Sequence, residues 1–168
     1  MQHQRVLVLD FGGQYNQLIA RRVRDLGVYC DLKPCDMTVG EIRAYDPIGI
    51  IFTGGPNSVY DPAAPHVDRE VLGLGIPVLG ICYGSQLIAY TLGGKVEHAA
   101  MSEYGKREFS FLKESPLSEG IPQTSVCWMS HTDHVTEVPD GFAVLASTPT
   151  CPVTVYGNAE KAIYGVQF

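Results

Sequence analysis

The chain has 168 residues, 45% of them hydrophobic, which suffices for the core of one compact domain and is short for two. A formal charge of −6 with scattered Lys and Arg argues against a nucleic-acid groove, which needs clustered cations to neutralise phosphates. No apolar run reaches membrane-spanning length, and residues 1–5 lead straight into a strand pattern without signal-peptide organisation, so no membrane is expected and the expected location is the cytoplasm.

The first element is Arg5-Val6-Leu7-Val8-Leu9, a short apolar run of the kind buried in parallel sheets. A helix is predicted over 15–26, where Leu18, Ile19, Val23 and Leu26 fall at helical spacing and Arg21, Arg22 and Arg24 form a solvated face. A second strand, 48–52, precedes a predicted helix over 64–74; a third, 77–81, precedes one over 85–92. Strand and helix alternate, which predicts an α/β fold: a three-layer, flavodoxin-like, mostly parallel sheet with helices on both faces. From 95 to 112 polar and apolar residues alternate, so antiparallel strands are expected at one edge and the sheet is mixed. The stretch 114–124 reads as a surface loop, and further strands are expected at 125–129, 143–147, 153–156 and 162–168. The last pattern stops abruptly at Phe168, as a domain cut at its C-terminus would.

In open α/β sheets reactive groups gather beyond the carboxyl ends of the strands. Three loops take that position here, at 10–14, 53–57 and 82–86, and they are expected to lie side by side. Five cysteines without a CxxC pair or zinc spacing indicate free thiols, each by default a small buried hydrophobe. Cys82 differs: flanked by Gly80 and Gly84 between an apolar strand and a helix start, it matches the pattern of a nucleophile elbow. A helix N-terminus is expected to favour its thiolate. At Gly54-Gly55-Pro56, backbone amides could face an oxyanion, with the Gly55 and Tyr83 N–H groups as the natural pair. No phosphate-binding glycine loop of either common spacing follows a strand. The richest polar cluster is Trp128-Met129-Ser130-His131-Thr132-Asp133-His134. His131 or His134 could act there as a general base, or both could be loop residues that position a substrate; a metal site fits the spacing poorly.

The runs Gly54-Gly55-Pro56, 77–86 and Tyr164-Gly165-Val166-Gln167-Phe168 resemble the class I, or triad, glutamine amidotransferases. Within that family, 9–24 and Trp128-Met129-Ser130-His131-Thr132-Asp133 look like the branch that aminates XMP to GMP. The resemblance covers essentially the whole chain. It implies a glutaminase in which Cys82 attacks the side-chain amide of L-glutamine, water resolves the glutamyl thioester, and ammonia passes to a synthetase domain. It further implies an oxyanion hole at Gly55 and Tyr83, and glutamine binding by Gly54, Gln86, Ser130 and Asp133, with no metal or cofactor in this domain. Asp133 suits that role as a counter-charge for an α-ammonium. ATP and Mg belong by the same resemblance to the synthetase domain, absent from this sequence, in the same chain or a separate subunit, and the full-length protein is implied to be a homodimer. Two departures stand out. Position 85 is Ser where the family usually has Met, and the family's His-Pro-Glu, carrying the base and its orienting carboxylate, would follow Phe168. On that pattern His131 is not the base. The alternatives are a glutaminase of anthranilate or carbamoyl phosphate synthesis, or a non-catalytic, DJ-1-like cysteine sensor.

Overall fold

A computed structural model describes residues 4–168. Residues 1–3, part of the opening read for a leader, lie outside the described residues. The described chain forms one nine-stranded mixed sheet in the order β2-β1-β3-β4-β9-β8-β7-β5-β6. The parallel half comprises β1 (Arg5–Asp10), β2 (Tyr29–Pro34), β3 (Gly49–Phe52), β4 (Val78–Ile81) and β9 (Ile163–Val166). The antiparallel half is β8 (Val155–Asn158), β7 (Ala143–Ser147), β5 (Lys95–Phe111) and β6 (Thr124–Glu137).

Alternation along β1 explains the layers. Val6 and Val8 point to one face, where Ile19, Ala20 and Val23 of helix α1 (Asn16–Asp25) cover them together with Cys30. Leu7 and Leu9 point to the other, into the main core with Ile42 of helix α2 (Val39–Tyr45) and Leu87 and Ile88 of helix α3 (Tyr83–Thr91). A second core, built on Phe109, Phe111, Met129 and Leu145, lies under the antiparallel half. The expected α/β class, helices on both faces and antiparallel edge are all present.

Four elements differ from expectation. The helix predicted over 64–74 is an irregular segment that ends in a 3-10 turn, Arg69–Gly73. Pro62 and Pro65 disfavour a longer helix there, and the apolar pattern is still used, with Val71 and Leu72 buried. The edge strand β2 and helix α2 are additions to the predicted set. The polar cluster 128–134 lies within β6 rather than on a loop.

Candidate active site

The three strand-end loops meet as expected, and glycine makes the meeting possible. A Cβ on Gly55 would lie 2.4 Å from the Phe11 carbonyl oxygen, and one on Gly84 2.4 Å from that of Phe52, so backbone packs on backbone. Hydrogen bonds join the same loops: the Phe11 N–H donates to Thr53 Oγ1 at 3.0 Å and the Gly84 N–H to the Thr53 carbonyl at 3.1 Å.

Cys82 occupies the turn from β4 into α3 with φ +51° and ψ −108°. A non-glycine residue with positive φ is strained, and the surroundings hold it there: its N–H donates to the Val166 carbonyl at 2.8 Å, while its own carbonyl accepts from the Gln86 N–H at 3.1 Å. The elbow expected from the glycine spacing is therefore present. The electrostatic expectation is reversed. Burial pushes the thiol pKa up and outweighs the opposing hydrogen bonds from the Tyr83 amide and the Gln167 side chain.

The half-buried Cys82 borders a cavity of about 560 Å³, to which Gly55, Gln86, Ser130 and Asp133 also contribute. The sequence-predicted residues converge with two qualifications. Gly54 lies behind the thiol, an added Cβ falling 3.6 Å from that of Cys82. Tyr83 turns its ring into the core, where the hydroxyl donates to the Pro65 carbonyl at 2.6 Å, so only its backbone faces the nucleophile position. A Gly55 and Tyr83 amide pair beside a thiol can stabilise an oxyanion, and the cavity's polar wall can hold a small zwitterion.

His131 reaches the cavity wall, yet both ring nitrogens are engaged away from Cys82. Nδ1 lies 3.0 Å from the Asp133 carbonyl and Nε2 3.0 Å from Glu103 Oε2. His134 is not among the cavity residues, and burial together with the neighbouring His131 lowers its imidazole pKa. Neither histidine contacts the thiol among the described residues. Glu103, His131 and Cys151 bring one donor atom each within 4.8 Å, but the carboxylate is already occupied by His131, Thr148 and Thr150.

Three further residues join the site without having been predicted from the sequence. Gln167, 1% exposed, donates from Nε2 toward Cys82 Sγ at 3.6 Å and accepts from Gln86 Nε2 at 3.3 Å. It sits in the Gly165-Val166-Gln167-Phe168 run, whose match to the family is a usable signal. His98, at the cavity rim, places Nδ1 3.1 Å from Asp133 Oδ1. Glu103 is a buried carboxylate on β5, paired in register with His131. Nothing local marks Glu103 or His98, because their partners are supplied by the hairpin.

A family model for the class-I glutamine amidotransferases matches residues 7–168, and the chain belongs to that family. Over all 168 residues it is 59% identical to a protein named GMP synthase [glutamine-hydrolyzing] from Caldicellulosiruptor saccharolyticus, and 56% identical to one of the same name from Clostridium novyi. The match covers 100% of this chain and 33% of each relative, so the chain spans about a third of their length. Among solved structures, a candidate GMP synthase subunit from Thermoplasma acidophilum superposes with a TM-score of 0.83 at 31% identity, over 100% of this chain and 84% of that one. A glutamine amidotransferase of Thermotoga maritima has the same fold, with a TM-score of 0.78 at 19% identity, over 100% and 76% of the two chains.

Proposed function

We propose that this chain is the glutamine-hydrolysing domain of a GMP synthase. The observation that carries the reading is the strained Cys82 elbow opening on a cavity that Ser130 and Asp133 also line. Glutamine would enter with its α-ammonium on Asp133, while Gln86 and Ser130 hold the rest of the amino-acid end. Cys82 Sγ attacks the carboxamide carbon, and the Gly55 and Tyr83 amides receive the negative charge on oxygen; one such donor is worth about 3 kcal/mol. The C–N bond breaks, the nitrogen leaves as ammonia with the proton that the thiol gave up, and water cleaves the glutamyl thioester, its hydroxyl going to glutamate and its proton back to the sulfur. Ammonia then serves a synthetase domain that aminates adenylylated XMP, with ATP and Mg bound there and not here, in a homodimeric, cytoplasmic protein. Support for this branch comes from the names and identities of the relatives and from the 9–24 and 128–133 runs. A DJ-1-like sensor needs an exposed thiol of low pKa, and burial here works against one.

Because neither His131 nor His134 contacts Cys82, the role of proton acceptor is assigned to the family's His-Pro-Glu after Phe168. Glutamate release is therefore expected to be weak on this chain and to rise at least about a hundredfold when it is extended C-terminally to the length of its relatives. Diazo-oxo-norleucine, an electrophilic glutamine analogue, should label Cys82 alone in the extended protein. Equal glutamate release by the two lengths would remove the assignment of the base, and labelling elsewhere or nowhere would remove the glutaminase reading.

A further inference from the structure

The Glu103 and His131 side chains face each other across β5 and β6, each only 2% exposed. A carbonyl oxygen only accepts, so His131 Nδ1, at 3.0 Å from the Asp133 carbonyl, carries a hydrogen. At 3.0 Å, Nε2 and the Glu103 carboxylate cannot present lone pairs to each other, so a proton lies between them as well. One hydrogen thus lies on Nδ1 and a second is shared between Nε2 and the Glu103 carboxyl, so the pair is neutral as a unit. Glu103 Oε1 accepts from Thr148 Oγ1 at 3.3 Å and from Thr150 Oγ1, with Arg107 Nε 3.7 Å away.

Buried ion pairs are poor stabilisers, because desolvation offsets their attraction, and a positional role is their better-attested use. This pair sits where the β5–β6 register breaks, between His98 and Glu103, beside the segment that carries Ser130 and Asp133. The carbonyl that His131 holds is the same one that accepts from Gln86 Nε2 at 2.8 Å. Gln86 leads on to Gln167 at 3.3 Å, and Gln167 to the Cys82 sulfur at 3.6 Å. One carbonyl therefore links the buried carboxylate to the wall of the cavity and to the thiol.

We propose that Glu103 and His131 are positioning residues of the glutamine site, a neutral pair sharing one proton that fixes the Asp133 backbone and so aims its carboxylate at the substrate. This rests on the glutaminase reading above. The groups facing the pair are Arg107, Asp133, Cys151 and His134, the last with its ring centroid 6.2 Å from that of His131.

The test measures glutaminase kinetics in the C-terminally extended protein, together with the ¹⁵N resonances of the His131 ring. Glu103→Ala should raise KM for glutamine about tenfold while kcat changes less than about threefold. Glu103→Gln can accept from Thr148 and Thr150 and still donate to Nε2, so its KM should stay within about threefold of the parent. In the parent and in Glu103→Gln, Nδ1 should carry the hydrogen that the Asp133 carbonyl accepts. An unchanged KM in folded Glu103→Ala overturns the proposal, as does a bare Nδ1 in the parent ring, which needs no variant to be seen. Absence of glutaminase activity in the parent would instead sink the underlying reading.

Discussion

At Cys82 two requirements of the proposed nucleophile pull against each other. The strained turn projects the sulfur at the cavity, yet the burial that shapes the cavity raises the thiol pKa, so the neutral thiol dominates at pH 7. Among the described residues neither His131 nor His134 contacts the sulfur, so the proposed attack needs a base beyond these two. A measurable consequence is slow alkylation of Cys82 by iodoacetamide at neutral pH, rising about tenfold per pH unit and still climbing above the ordinary thiol value. A plateau reached below pH 8 would show a thiolate stabilised by something the described residues do not include. The strained turn at Cys82 is legible in the sequence because glycine spacing and an apolar strand are local signals. The thiol pKa is not, since desolvation depends on every chain segment packed around the sulfur.

The elements show the same division between local and non-local information. β1, β3, β4, α1 and α3 announce themselves by apolar runs or clear helical spacing. Helix α2, seven residues long, is too short for a periodic signal, but Thr38 and Glu41 form a capping box. The Glu41 N–H donates to Thr38 Oγ1 at 3.2 Å and the Thr38 N–H to Glu41 Oε2 at 2.7 Å, a Thr-x-x-Glu pattern that is readable in the sequence. Thr38→Ala should cost about 1 kcal/mol of stability, measured by urea denaturation, with no effect on Cys82 labelling. Strand β2 gives less warning: it is an edge strand, carries Asp31 and Lys33, and ends at Pro34, so only Cys30 is fully buried. The polar run in β6 misleads for a related reason. Its alternation buries Cys127, Met129 and His131 and exposes Trp128 and Ser130, and a histidine on the inward side reads as a break unless its carboxylate partner is known.

Over the whole molecule there are five free cysteines, Cys30, Cys127 and Cys151 buried and Cys35 and Cys82 half-buried. Desolvation raises Cys127 and Cys151 to about 11, and raises Cys30, Cys35 and Cys82 as well. Their unfolded counterparts ionise nearer 9.0, so above that value the unfolded chain releases protons first. Stability from this source is complete below the unfolded value and lost as pH rises toward about 11, a decline that denaturation at pH 7, 9 and 10.5 should trace. A Cys127→Ala, Cys151→Ala double variant should lose less stability than its parent over the same interval.

The strand order has a mechanical corollary. β6 lies five places from β4 in the sheet, a path of about 24 Å at ordinary strand spacing. Yet Gln86, in the first turn of α3 just beyond β4, touches the β6 backbone directly through a 2.8 Å hydrogen bond. The antiparallel half therefore curls back toward the end of the parallel half, and the cavity is the gap between them. Small changes of twist at each of the intervening strand junctions add up at that gap, so the cavity beside Cys82 acts as a gauge of the shape of the entire sheet.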